Sequence, residues 1–264
     1  MVQHVPLALV EPRDEPLLRS PLRLVVFQLR FTPSQAVREL RSGLSAQEKL
    51  GGAATWRLEP VQVQSFALSA GPERPVATTS VDISPNGWRL LSEEGGAIIT
   101  ILPDSISLEV TAYRGWVMFH RTINALLETA AEVLRPEAET RLALRYINRL
   151  EQPAVQAPRE WAELIDEHVL GIIHHPIGEA VTAAQQQLQV RMTDSERATV
   201  QHGFLRDPVT NRLTYLLDFD VFREGARTLD LADATAAVEA LHRAVLQLFQ
   251  SFITPRLYEF LKSE

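Results

Sequence analysis

Between Ser105 and Leu150 the hydrophobic period of the chain changes twice, and few folds accommodate that pattern. In Ser105 to Tyr113 the apolar residues Ile106, Leu108, Val110 and Ala112 alternate with Ser107, Glu109 and Thr111, the period of a half-buried strand. From Trp116 to Leu134 the residues Trp116, Phe119, Ile123, Leu126, Leu127, Ala130 and Val133 recur at three- and four-residue steps, which is one apolar stripe on a helix. Pro136 cannot continue that helix, and Arg141 to Leu150 alternates again. Leu142, Leu144, Tyr146, Asn148 and Leu150 fall on one face; Arg141, Arg145 and Arg149 fall on the other. A helix held against a sheet by the strands on either side of it is the expected outcome.

The rest of the chain can be placed around that unit. Met1 to Ser20, with Pro6, Pro12 and Pro16, predicts an extended arm (residues 1–20) in which Leu7, Leu9 and Val10 are available for docking. Leu22 to Phe31 reads as a strand, apolar on both faces at its start, as a central strand requires. Thr32-Pro33-Ser34-Gln35 has the form of a helix start with a capping box, followed by a short stripe of Val37, Leu40 and Leu44. Trp56 to Ala70 returns to strand-like alternation. A hairpin is predicted at Asn86-Gly87, where a tight turn needs positive φ, and further turns at Gly95-Gly96 and Pro103-Asp104 complete a four-strand meander.

Pro153 and Pro158 mark a boundary, giving halves at 21–152 and 153–264. The second half predicts a helix at Trp161 to Leu170, three strands at Gln185 to Met192, Thr199 to Leu205 and Leu213 to Phe222, and a long helix from Asp230 to Pro255. The fold class is therefore α+β: two antiparallel sheet-plus-long-helix halves packed together, a pattern open to an internal pseudo-repeat although little residue identity links the halves.

With 264 residues and 45% hydrophobic content the chain can bury an ordinary core. A net charge of -7 and the lack of a basic block argue against nucleic acid as a partner. There is no cysteine, so disulfides and thiolate chemistry are excluded, and a reducing compartment fits. The first residues do not have the form of a signal peptide, and no apolar run approaches the roughly 20 residues of a membrane span, which together predict a cytoplasmic, soluble protein.

Candidate site residues are few. Tyr215, Leu217, Phe219 and Val221 share one strand face, so Asp218 and Asp220 project together from the other. Such a pair is open to three uses: a solvated face, ion pairing with an arginine such as Arg191, or metal or acid–base chemistry. The Arg141, Arg145 and Arg149 row suits a carboxylate or phosphate, unless Glu109 neutralises it. Asn148, on the apolar face, either bonds backbone or lines a cavity. His168, His174 and His175 cluster in sequence without the spacing of a metal motif, and His120 and His242 are expected in solvent-facing or half-buried positions on the two long helices. No phosphate loop, dinucleotide fingerprint or nucleophile elbow is present.

Pro21-Leu22 leading into Val25-Val26-Phe27-Gln28-Leu29-Arg30-Phe31, then Leu144-Arg145-Tyr146-Ile147-Asn148, then Leu217-Asp218-Phe219-Asp220 and Phe252-Ile253-Thr254, resembles a sporadically distributed family of prokaryotic proteins of unknown function. The resemblance spans nearly the whole chain in its order of segments, with Leu-Arg-Tyr-Ile-Asn its most distinctive part. It implies a cytosolic protein of conserved length without an established activity, with a patchy distribution in keeping with mobile-element or defence loci. It assigns no catalytic residue, but it places Arg145, Asn148 and Asp218 in the family pattern.

Three functions follow as expectations. The leading one is a non-enzymatic interaction or regulatory protein with a protein partner or self-association, and with no catalytic residue, resident metal or cofactor assigned. The second is a small-anion sensor using Arg145 and Asn148, with Asp218 and Asp220 as further ligand-site candidates. The third is a metal-dependent hydrolase built on Asp218 and Asp220.

Overall fold

The computed structural model describes residues 9–71, 74–207 and 210–263, of which 63–85 by backbone alone. One antiparallel sheet of nine strands runs through both halves of the chain. Strand β1 (Leu22–Phe31) is followed by a 3-10 turn (Gln35–Arg38) and helix α1 (Leu40–Lys49), and then by β2 (Trp56–Gly71), β3 (Arg74–Ser92), β4 (Ala97–Leu102) and β5 (Ser105–Val110). Helix α2 (Trp116–Thr129) continues through a π-helical turn (Ala130–Leu134) into β6 (Glu139–Glu151). Short helical turns and α3 (Glu167–Leu170) lead to β7 (Ala184–Arg191), β8 (Glu196–Arg206) and β9 (Leu213–Arg227), and the chain closes with α4 (Leu231–Phe252) and α5 (Pro255–Lys262).

The strand order is β2-β3-β4-β5-β1-β6-β9-β8-β7, so β1 and β6, both within 21–152, meet at the centre of the sheet. β1 pairs with β5 through Phe27 and Leu108 and with β6 through Phe27 and Leu144. Of the nine strands, β1 to β6 fall within 21–152 and β7 to β9 within 153–264, so the sheet is continuous across the expected boundary. No helix among the described residues is long and apolar enough to cross a membrane.

The alternation read from the sequence decides which face is covered. Val25, Phe27 and Leu29 of β1, Leu142 and Leu144 of β6, and Leu217, Phe219 and Val221 of β9 are buried, and they share one core with Phe119, Ile123 and Leu126 of α2 and Val238, Leu241 and Val245 of α4. The opposite face carries Gln28 and Arg30 of β1, Arg141 and Arg145 of β6 and Asp218 and Asp220 of β9.

Several expectations are corrected by the packing. Asn86-Gly87 is not a hairpin: β3 runs straight through it, and a register shift against β2 between Val61 and Gln62 leaves Asn86 as a bulge. Glycine is required there because a Cβ on Gly87 would lie 2.2 Å from the Ile101 carbonyl oxygen of the neighbouring strand. The capping box at Thr32 does not form, since the Thr32 hydroxyl is engaged with the backbone of Ala138, accepting from its N–H at 3.0 Å. Leu40 and Leu44 of α1 face solvent, and the helix packs instead through Ser42, Gly43 and Ala46. The helix expected at Trp161 to Leu170 is split into a 3-10 turn (Pro158–Glu163) and α3, with Ile165 between them bridging to Ile253.

The arm is docked over residues 9–20; Leu7 lies outside the described residues. Leu9 and Leu17 pack against the core. Arg13 takes the Gln250 side chain on its backbone N–H at 3.0 Å and reaches Glu259, Glu11 pairs with Arg243, and Glu15 pairs with Lys262. The arm is thereby strapped across α4 and α5.

Candidate functional site

On the open face of the sheet the arginine row of β6 meets the aspartates of β9. Opposed registers place Arg145 beside Asp220 and Ile147 beside Asp218, so each guanidinium reaches a carboxylate on the adjacent strand. Arg145 holds Asp218 in a two-point grip, Nε to Oδ1 at 2.8 Å and Nη2 to Oδ2 at 2.6 Å. Arg141 donates from Nη2 to both oxygens of Asp220 at 2.9 Å and from Nη1 to the Gln28 side chain at 2.9 Å. Arg149 reaches Asp207 at 2.6 Å. Asp218 and Asp220 do share a face, as their spacing requires, but their partners are Arg145 and Arg141 rather than Arg191 or a Glu109-neutralised row.

A shallow cavity of about 470 Å³ lies above this face, bordered by Gln28, Arg30, Glu109, Arg141, Arg145 and Asp220. An anion entering it would compete with carboxylates already in bidentate contact, and a dication would first have to displace a guanidinium. Among the described residues no group of three or more metal-type side chains is assembled, and His168, His174 and His175 are exposed on separate turns.

Asn148 is not part of this face. It lies on the covered side of β6, its Nδ2 donating to the Leu217 carbonyl at 3.3 Å, and it borders a second and larger cleft of about 570 Å³. Arg145 and Asn148, expected together in one anion pocket, therefore line different cavities.

The second cleft lies between the arm, the start of α2 and the middle of α4. Tyr146, one residue beyond Arg145, projects from β6 toward α4, where its hydroxyl meets Nδ1 of His242 at 2.9 Å. The His242 ring stacks on Trp116 at 3.7 Å between centroids and 4° between planes, and His120 stands beside Trp116 at 5.0 Å. Glu239, one helical turn before His242, accepts from the Trp116 indole N–H at 3.1 Å and so fixes the indole. Tyr113 completes the wall, edge-on to Tyr146 and Phe119.

Burial sets the chemistry of these groups. His242 is 5% exposed, and burial lowers its pKa to about 4, with Asp14 acting in the opposite sense and His120 in the same sense. Burial pushes the Tyr113 phenol up to about 12, partly offset by its hydrogen bond with Tyr146, and raises Tyr146 well above its ordinary value. At neutral pH the Tyr113 and Tyr146 phenols and the His242 imidazole are uncharged hydrogen-bonding groups in an aromatic frame. A general base works best with a pKa near the operating pH, so a histidine lowered this far is a weak one.

Two ring nitrogens here lack a hydrogen-bond partner, Nε2 of His120 and Nε2 of His242. Nε2 of His242 is buried without a hydrogen bond, and the nearest charge is the Asp14 carboxylate of the arm at 4.0 Å. Tyr113, Trp116, Tyr146 and His242 were not marked by the sequence motifs, and His242 was expected at a solvent-facing or half-buried position. The signal was present: Val238, Leu241, His242 and Val245 follow the i, i+3, i+4, i+7 spacing of the buried stripe.

No family model matches the sequence, and no curated protein matches it. Among solved structures there is a likeness to the di-domain ARO/CYC protein StfQ from the steffimycin biosynthetic pathway, at 10% identity and a TM-score of 0.19 over 90% of this chain and 97% of that one. At that score the likeness carries no argument about fold or function.

Proposed function

We propose that the chain is a non-catalytic ligand-binding protein, a sensor or regulatory module that holds a small, largely apolar organic molecule in the cleft beneath the arm. The observation that supports this most directly is the 570 Å³ cleft bordered mainly by apolar and aromatic side chains, with the buried polar groups Tyr146, Asn148 and His242 inside and the charged Asp14, Glu15 and Arg114 also on its border. The uncharged state of its phenols and imidazole supports recognition by hydrogen bonding rather than turnover. The open sheet face supports such a role less well, because its arginines are already engaged.

Thermal unfolding in the presence of a panel of small apolar acids, alcohols and amines tests the proposal. A molecule bound only by the folded chain at ~100 times its dissociation constant adds about 2.7 kcal/mol, or roughly 5 °C or more for a chain of this size. The shift should vanish when Leu246→Trp fills the cleft. No shift with any class, or an equal shift in the filled variant, would reject the reading.

A further inference from the structure

The chemical class of the ligand is legible in the one buried polar side-chain atom without a hydrogen bond among the residues that line the cleft. If the cleft is a binding site, as proposed above, its specificity rests on Nε2 of His242, which is buried, lacks a hydrogen bond and borders the cleft. The group nearest to it is a carboxylate, Asp14, at 4.0 Å. That separation is too long for a direct hydrogen bond. The arm thus presents an acid group to the ring without completing the contact.

The direction in which the ring donates follows from what meets Nε2. With an acceptor at Nε2, that nitrogen carries the proton and Nδ1 accepts from the Tyr146 hydroxyl at 2.9 Å. The cleft also contains the start of α2, where Gly115 is the N-cap at φ 111° and supplies no side-chain cap, so the first-turn N–H groups of this 14-residue helix have no side-chain acceptor. The His242 ring and an uncapped helix N-terminus border one cleft, whose wall also includes Leu17, Leu22, Val245, Leu246 and Phe249, with Glu15 and Arg114 among its charged members.

We infer that the cleft binds an apolar carboxylic acid, its carboxylate accepting from Nε2 of His242 near the start of α2 and its hydrocarbon part lying against the apolar wall, and that Asp14 of the arm occupies the approach to this position as a competitor in the same chain. Binding then requires the arm to withdraw Asp14. The ion pairs of the arm with Arg243, Glu259 and Lys262 oppose this little, being exposed and of the weak kind.

The test is a matched series, octanoate, 1-octanol and octylamine, titrated calorimetrically into the full-length protein and into Asp14→Asn, His242→Asn, His242→Gln and Leu246→Trp variants. Octanoate should bind best of the three, about fivefold tighter to Asp14→Asn, where the like charge is gone. His242→Asn keeps a group near Nδ1 for Tyr146 but removes the open donor, so it should weaken octanoate and leave 1-octanol unchanged. His242→Gln, which returns an N–H near the Nε2 position, should recover part of the loss. Circular dichroism of each variant identifies any that fails to fold, and the Asp14→Asn comparison does not depend on the buried site.

Equal binding of octanoate and 1-octanol, unaffected at Asp14, would overturn the acid site and leave the ligand-binding reading standing. Preference for octylamine, lost in Asp14→Asn, would overturn it in favour of a cationic ligand. No binding by any of the three, or binding that persists in Leu246→Trp, would remove both.

Discussion

Arg145 and Asp218 form a two-point ion pair across β6 and β9, with the carboxylate 4% exposed and the arginine side chain 42% exposed. The asymmetry matters, because the buried partner is the one that suffers when the pair is broken. Arg145→Met leaves Asp218 without its guanidinium and should cost about 2 kcal/mol, below the 3–5 expected of a fully buried pair because water reaches the arginine side. Combining it with Asp218→Asn should recover part of that loss. Urea unfolding of the two single variants and the double variant gives the coupling, and additive losses would show that the pair contributes nothing.

Glu139 and Arg223 make the deeper pair, Nε to Oε1 at 2.8 Å and Nη2 to Oε2 at 2.9 Å, with Asp233 at the start of α4 taking Nη1 at 2.8 Å. Glu139→Gln should destabilise by about 2 kcal/mol, less than the roughly 3–5 of a fully stranded buried charge, since Asp233 remains as the partner of Arg223. Glu139→Met together with Arg223→Met should cost much less than the single change. A double variant as unstable as the single one would mean that the site cannot accept apolar side chains.

Gly43→Ala tests a conflict between local and tertiary preference. In an exposed helix this change gains about 1 kcal/mol. Here the new Cβ would lie 2.7 Å from Cδ2 of Trp88, whose ring is pinned by a 2.7 Å bond from its N–H to the Val37 carbonyl. Overpacking of about 1–3 kcal/mol should outweigh the gain, and the melting temperature should fall. A rise would place Trp88 in a looser setting than the structure gives it.

Stability should fall on mild acidification. The unfolded chain protonates position 242 below about pH 6.5, whereas the folded chain holds the ring neutral until about pH 4. The contribution of His242 is therefore complete above pH 6.5 and is lost as pH falls toward 4, amounting to about 2 kcal/mol by pH 5. The groups facing it are Asp14 from the arm, His120 from α2 and Tyr146 from β6. His202, lowered by burial and bonded to the Tyr215 hydroxyl, adds loss of the same sign. Urea midpoints at pH 7 and pH 5 should differ less in His242→Gln than in the unaltered chain, and an identical pair of profiles would exclude His242 as a source.

What the sequence made legible follows from how local each signal is. β1, β6 and β9 were readable because alternation reports burial directly, and Asp218 and Asp220 came with them as the residues left on the other face. Asn86-Gly87 misled because a bulge and a tight turn call for the same residues, and only the Ile101 carbonyl of the neighbouring strand distinguishes them. Asn148 was correctly placed on the covered face, yet its separation from the Arg145 cavity depends on which side the helices take. His242 is the instructive miss: its partner Tyr146 is 96 residues away, so a polar residue on the apolar stripe of α4 carried the only trace of the contact.

The central seam also bears on how the chain comes together. β1 is the first strand to be synthesised, yet it is an interior strand flanked by β5 and β6, and its partners in β6 begin at Glu139, more than a hundred residues later. Until then a nascent β1 exposes at least one unpaired edge, with Val25, Phe27 and Leu29 uncovered on its face. Non-local pairing of this kind forms slowly, so the chain should fold slowly for its size and depend on a chaperone to shield that strand until β6 has been made.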